Sequence, residues 1–176
     1  MRLHQAGKVS NRHSVYPSVS VATFAAGTRE LYDWLDRQQA VRFLPVEMIN
    51  TPEIIARNPR FVSINGALAI DLWGQVAADT LGDQQYSGIG GHEDFVAGAT
   101  FSDGGRSLIC LPSTAEVQGV RRSRIAAQFL PGTRVTTPRH LVDVVITEYG
   151  AAELRARSER DRAAALIEIA HPDFRE

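Results

Sequence analysis

The sequence predicts a single α/β domain built on an open, mainly parallel sheet with flanking helices. Three observations carry this. Strand-like apolar runs alternate with helix-like segments over most of the 176 residues, the pattern of layered α/β folds. The most apolar run, residues 142–147 (VDVVIT), reads as a buried strand. No internal repeat and no Gly/Ser linker divides the chain, so one domain covers residues 1–176.

The elements follow in order. Residues 18–24 (SVSVATF) are rich in Val and Phe and form the first strand. Thr28 caps a helix over residues 29–37, where Leu31, Trp34 and Leu35 recur at helical spacing. Residues 41–46 form a second strand. Thr51 and Pro52 open a short helix, because proline at the first helical position gives up an N–H that would be unpaired anyway. Residues 61–65 and 68–72 read as strands paired around Gly66. Gly88-Ile89-Gly90-Gly91 precedes a helix through Phe95 and Val96. Residues 108–111 (LICL) form a short buried strand, with Cys110 in the core. Residues 113–124 carry Arg121, Arg122 and Arg124 and read as a loop or an exposed strand pair. After the 142–147 strand, residues 151–157 read as helical. Ser158 then caps a last helix, with Asp161 three residues on as in a capping box, and Ala164, Leu166, Ile167 and Ile169 supply the apolar side.

Composition excludes several function classes. The chain is 44% hydrophobic and 22% charged, which fits a folded soluble domain. Nineteen basic against twenty acidic residues leave a net charge of -1, which argues against a nucleic-acid binder needing a basic face. No apolar run approaches the length of a membrane span and no signal-peptide core follows Met1, so the expected setting is cytoplasmic, with no membrane partner. The single Cys110 forms no internal disulfide. His4, His13, His140 and His171 are scattered, and no histidine pair has metal-ligand spacing, so no metal site is expected.

Two loops hold the residue types that chemistry needs. In Ser87-Gly88-Ile89-Gly90-Gly91-His92-Glu93-Asp94-Phe95, glycines permit a sharp turn and close approach of a ligand. A helix start directly after them offers free N–H groups to a phosphate, a carboxylate or an oxyanion. The same glycines serve equally well in a purely structural tight turn. His92 is a hydrogen-bond donor or base near neutral pH. Thr147-Glu148-Tyr149-Gly150 ends the 142–147 strand, and loops at the carboxyl ends of strands are where open α/β sheets bind ligands. Glu148 there is an acid, a base, a positioning carboxylate or simply a solvated strand-end residue.

In combination, several segments resemble one family. They are residues 61–65 (FVSIN), 71–76 (DLWGQV) and 88–95, then 111–115 (LPSTA), 135–139 (VTTPR), 145–150 (VITEYG) and 169–174 (IAHPDF). In this order they resemble the C-terminal domain of the acetyl-CoA hydrolase/transferase family, and are similar to 4-hydroxybutyrate CoA-transferases. The resemblance covers nearly the whole chain. It implies one half of a class I CoA-transferase fold, in which two similar α/β halves enclose the active site. It implies coenzyme A as a substrate, moved from an acyl-CoA to a small carboxylate, with no metal. In such enzymes a glutamate attacks the thioester and becomes first a mixed anhydride and then a glutamyl-CoA thioester.

The resemblance places Gly90, Gly91, His92, Asp94, Glu148 and Gly150 on the oxyanion and CoA side. It assigns no catalytic residue to this chain: the nucleophilic glutamate is expected upstream of the part matching residues 3–11, before Met1. None of Glu30, Glu47, Glu53, Glu93 and Glu148 matches its motif. Two departures stand out. His92 takes the place of a usual Gln or Asn, and residues 116–122 make a longer connection than usual. The expectations that follow are a chain inactive by itself, completed by a separate N-terminal half or left as a non-catalytic CoA-binding or interaction domain. An apolar face without its usual cover predicts a homodimer or a complex.

Overall fold

The computed structural model describes residues 1–12 and 15–176; His13 lies outside the described residues. The elements run α1 (Arg2–Gln5), β1 (Ser20–Ala22), α2 (Arg29–Asp36), β2 (Val41–Phe43), α3 (Val46–Ile49), α4 (Pro52–Ala56), β3 (Val62–Gly66), β4 (Ala69–Asp71), β5 (Val76–Ala77), β6 (Thr80–Leu81) and β7 (Gln84–Gln85). They continue with α5 (His92–Phe101), β8 (Arg106–Cys110), β9 (Thr114–Val117), β10 (Val120–Ser123), β11 (Ile125–Ala126), β12 (Val144–Thr147), β13 (Gly150–Glu153), α6 (Glu159–Glu168) and a final 3-10 turn (Pro172–Phe174).

The central sheet has the order β13-β12-β8-β3. β3, β8 and β12 are parallel, and only β13 runs antiparallel, so the sheet is mainly parallel as expected. Helix α5 packs on β3 and β8. Between helices and sheet lies one core that includes Ile70, Val96, Ile109, Val145, Leu154 and Leu166. Its apolar residues come from Ala67 through Ala170, so the sheet, α5 and α6 share one interior.

Several elements form for the reasons read in the sequence. β1 and β2 pair in parallel, shorter than the runs that contain them. Residues 113–124 form the exposed strand pair: β9 and β10 make an antiparallel hairpin. Its two turn residues, Gln118 and Gly119, both have positive φ (53° and 75°), the turn geometry that matches strand twist. Ser158 caps α6, accepting from the Asp161 N–H at 3.2 Å and donating to the Asp161 carboxylate at 2.7 Å. Thr28 and Thr51 precede α2 and α4 as expected, yet neither side chain makes a capping hydrogen bond.

Four expectations need correction. Residues 151–157 are not helical. Gly150 adopts φ 145°, reversing the chain so that residues 150–153 pair back on β12, and Ala152 and Leu154 point into the core. Alanine's helix preference is worth only tenths of a kcal/mol per residue, less than this ladder and burial supply. Residues 61–65 and 68–72 do not pair with each other. β3 joins β8 in the central sheet, while β4 sits between β11 and β5 in another, because Gly66 and Ala67 redirect the chain rather than fold it back. On α6 the buried face carries Arg162, Ala165 and Leu166, and Ala164 is exposed. Finally, β8 is buried on one face only: Ile109 is in the core while Leu108 and Cys110 remain half-exposed.

Candidate active site at the carboxyl end of the sheet

The start of α5 and the β12–β13 turn both lie at the carboxyl end of the parallel strands. His92 hydrogen-bonds to the Gly66 main chain at the end of β3, and Glu148 follows the end of β12. Gly66, Cys110 and Ile146 are in register across the sheet, so the two loops are two strands apart, roughly 10 Å by the usual strand spacing. They share one rim of the sheet but not one cavity.

Around α5 the sequence dictates a tight approach. Gly90 has φ 63°, a conformation few L-residues adopt. Gly91 is the residue before the helix, and a Cβ there would come within 2.5 Å of the Asn50 Nδ2. No side chain caps the helix, so its first N–H groups have no intrahelical acceptor. They open beside a cavity of about 410 Å³ lined by Asn50, Asn65 and His92 together with Phe24, Ile89 and Phe95.

The polar lining holds unpaired polar groups. His92 is 8% exposed, and its Nε2 has no hydrogen-bond partner. The Asn65 Nδ2 is likewise buried and unpaired. Burial pushes the His92 imidazole below the ordinary histidine range, against the opposing pull of Asp79 and of the Gly66 hydrogen bond. Next to it, burial pushes the Glu93 carboxyl up although Thr137 Oγ1 donates to it at 3.0 Å. The Asp94 side chain is half-buried in the first turn.

A depressed imidazole has a definite linkage sign. The unfolded chain takes up the proton first, near pH 6.5, so the neutral ring stabilises the fold above that pH and the contribution is lost as pH falls. His92→Gln removes the titration. Thermal unfolding of both proteins at about pH 7 and about pH 5 should show the wild type losing more stability than the variant on acidification; equal losses would refute this.

At the other loop Glu148 is neither free nor merely solvated. Its carboxylate accepts from the Ser113 N–H at 2.9 Å and the Ser113 hydroxyl at 2.6 Å. These bonds, the hydroxyl first, hold its pKa below the usual carboxylate range. Ser113 is fully buried and follows β8, so the pair latches the β8–β9 connection to the β12–β13 turn. Thr147 Oγ1 donates to the Ile169 carbonyl at 2.6 Å and accepts from the Tyr149 N–H at 3.1 Å. Gly150 completes the turn.

Of the residues singled out in the sequence, Gly91 and His92 line the cavity; Gly90 and Asp94 flank it at the loop and first turn; Glu148 and Gly150 belong to the neighbouring latch. Asn50 and Asn65 escaped sequence reasoning as site residues. The polar Asn65 inside an apolar strand was the available signal, whereas nothing local marks Asn50. Among the described residues no group of His, Cys, Asp and Glu could hold a metal ion. No helix among them is long and apolar enough to cross a membrane.

The chain is 44% identical over its whole length to the 4-hydroxybutyrate coenzyme A transferase of Clostridium kluyveri, of which it covers 41%. It is 44% identical over 97% of its length to the succinyl-CoA:cyclohexane-1-carboxylate CoA transferase of Geobacter metallireducens, covering 39% of that protein. The fold superposes on the crystal structure of RipA from Yersinia pestis with a TM-score of 0.89 and 44% identity, covering 99% of this chain and 39% of that one. The chain thus spans about two-fifths of the length of the relatives it matches. Residues 27–176 match the acetyl-CoA hydrolase/transferase C-terminal domain, and the chain belongs to the acetyl-CoA hydrolase/transferase family.

Proposed function

We propose that this chain supplies the CoA-side, C-terminal portion of a cytoplasmic CoA-transferase that moves CoA between an acyl-CoA and a small carboxylate such as acetate or 4-hydroxybutyrate. The observation that carries the reading is the set of unpaired donors around the α5 cavity, the helix N-terminus and Asn65 Nδ2, with the unpaired His92 Nε2 beside them. Donors without acceptors, in a partly dry site, suit an oxygen that gains charge only during reaction. Each well-placed donor of this kind contributes roughly 3–4 kcal/mol to a tetrahedral oxyanion.

The cavity holds donors but no free nucleophile. The Glu93 side chain is engaged by Thr137, and Glu148 by Ser113. A carboxylate from the N-terminal portion therefore attacks the thioester carbonyl. The C–S bond breaks, CoA leaves as the thiolate, and a mixed anhydride remains. The thiolate then attacks the glutamyl carbonyl and releases the first carboxylate product. The second carboxylate reverses these two steps and leaves as the new acyl-CoA. In this scheme the main-chain N–H groups at Gly90, Gly91 and the start of α5 receive the oxyanion, Asn65 donates from Nδ2, and the neutral His92, its N–H given to Gly66, presents Nε2 as an acceptor to the substrate. Asp94 favours the positive helix end, while Glu148 and Gly150 fix the neighbouring rim. The chain acts in a complex or homodimer.

The test is a transfer assay between acetyl-CoA and butyrate. The purified chain should show no turnover. Co-expression with the N-terminal portion of the Clostridium kluyveri relative should restore it, with a covalent CoA adduct found by mass spectrometry on a glutamate of that portion. Robust turnover by the isolated chain, or an adduct on one of its own glutamates, overturns the proposal. CoA binding without turnover in the co-expressed complex would favour a non-catalytic CoA-binding domain instead.

A further inference from the structure

Three of the nineteen basic residues, Arg106, Arg124 and Arg162, are buried or half-buried. Arg106 is held by Asp143 at 2.8 Å and Glu153 at 3.1 Å, and Arg162 by the carbonyls of Trp73, Leu154 and Arg139. Arg124 has no comparable partner. Its only side-chain hydrogen bond runs from Nη1 to the Ala67 carbonyl at 3.4 Å, longer than an ordinary N–H···O bond. It takes part in no ion pair among the described residues. Its Nε is buried without an acceptor. A guanidinium is a fixed fork of donors that keeps its charge, and folded proteins leave few buried donors empty.

The backbone fixes where this fork stands. Arg124 joins β10 to β11; its N–H donates to the Ser113 carbonyl at 2.8 Å and its carbonyl accepts from the Ile70 N–H at 2.9 Å. Ala67 directly follows β3 and donates to the Cys110 carbonyl at 3.3 Å. The guanidinium therefore reaches the carboxyl end of β3 and β8, the rim where open α/β sheets take ligands. His92 holds the Gly66 carbonyl one residue earlier, and Asn65, one residue before that, lines the α5 cavity. Among the described residues no lysine or arginine lines that cavity. A carboxylate entering it finds hydrogen-bond donors there, and its nearest half-buried counter-charge on this rim is Arg124.

We propose, resting on the transfer reading above, that Arg124 binds the carboxylate of the small acid that takes up or gives up CoA, beside the α5 cavity. Transfer requires this acid to stand ionised next to a thioester, and drawing its charge out of bulk water costs free energy unless a counter-charge receives it. The planar fork matches a carboxylate. With one carboxylate oxygen on Arg124, the other attacks the thioester carbonyl. A C–O bond forms, the C–S bond breaks and CoA leaves as the thiolate, so the step needs no further reactant. The phosphates of CoA are the other anions of the reaction, but the whole pantetheine arm separates them from the thioester, whereas Arg124 stands within two residues of the cavity wall.

The chain is co-expressed with the N-terminal portion of the Clostridium kluyveri relative and assayed for transfer from acetyl-CoA to butyrate. Arg124→Gln should raise the KM for butyrate by about tenfold or more, the scale of a lost charged hydrogen bond, and leave the KM for acetyl-CoA unchanged. Arg124→Lys should recover part of the loss; should the glutamine variant not fold, the lysine variant carries the same comparison with a smaller rise. A rise confined to acetyl-CoA puts the guanidinium on a CoA phosphate and overturns the proposal. A fall in kcat with both KM values unchanged, the mark of a structural role, or no change at all, overturns it as well. If the wild-type complex shows no turnover, the transfer reading fails and the isolated chain decides. In its nitrogen NMR spectra, a saturable shift of the Arg124 Nε–Hε resonance by sodium butyrate, not reproduced by equal inorganic phosphate, sustains the carboxylate site. Equal shifts by both anions, or no shift by butyrate, overturn it.

Discussion

Arg162→Met should lower the unfolding free energy by about 3–5 kcal/mol, a loss at the far end of the range for single substitutions. Arg162 is 7% exposed on α6 and has no carboxylate partner among the ion pairs of the described residues. Its Nε donates to the Trp73 carbonyl at 3.0 Å, its Nη1 to Leu154 at 2.8 Å and its Nη2 to Arg139 at 2.7 Å. Those three carbonyls belong to three separate connections, so one guanidinium pins the β4–β5 turn, the end of β13 and the stretch before β12 to α6. Burial pushes its pKa down and nearby Asp71 partly restores it, which marks a charge held at some cost by its acceptors. Methionine fills similar volume but leaves the carbonyls unpaired, at about 1–3 kcal/mol each where water cannot follow. Lysine should recover less than half of the loss, because its point charge cannot reproduce the planar fork. Urea unfolding with an unchanged m-value checks this; a loss below about 1 kcal/mol would show that water replaces the guanidinium.

Gly74→Ala should cost about 3 kcal/mol, combining backbone strain with the loss of that same pin. Gly74 closes the β4–β5 turn at φ 86°, and its N–H donates to the Asp71 carbonyl at 2.9 Å. The turn is braced by the Asp71 carboxylate, which accepts from the Gln75 N–H at 2.8 Å and the Gln75 side chain at 2.6 Å. A methyl group at position 74 would overlap the Arg162 guanidinium. The side chain must then leave its three carbonyls or the turn must open. Gly82→Ala is the control: φ is 61° but its methyl would meet open space, so only the backbone term of about 1 kcal/mol remains. Because the Gly74 and Arg162 substitutions damage the same contacts, their double mutant should lose clearly less than the sum. Full additivity in chemical denaturation would separate the turn from the arginine and refute the shared cause.

Elements whose cause is local were legible without tertiary structure. The Ser158/Asp161 cap works through side chains three residues apart, and the polar 113–124 stretch, read as a loop or an exposed strand pair, is the β9–β10 hairpin. The apolar runs at β8 and β12 mark parallel strands through composition alone. The Gly90-Gly91 turn was readable for the same reason, since glycine is where a chain can bend and be approached. Family resemblance then supplied the reaction class, which none of these local signals contains.

Tertiary pairing decided the rest. Residues 150–153 became a strand because β12 offered them a ladder, an interaction absent from any window of alanine-rich sequence. Glu148 became a latch because Ser113, 35 residues earlier, ends the neighbouring parallel strand. Asn50, Asn65 and His92 gathered around one cavity only because β3 and α5 meet at the carboxyl end of the sheet. Arg162 is buried because three carbonyls from distant stretches converge on it. Sequence by itself determined the alternation of elements, their caps and turns, because these depend on neighbours within a few residues. Only the tertiary structure decided which polar groups are paired and which are left as donors, because desolvation and hydrogen-bond satisfaction depend on groups brought together from far along the chain.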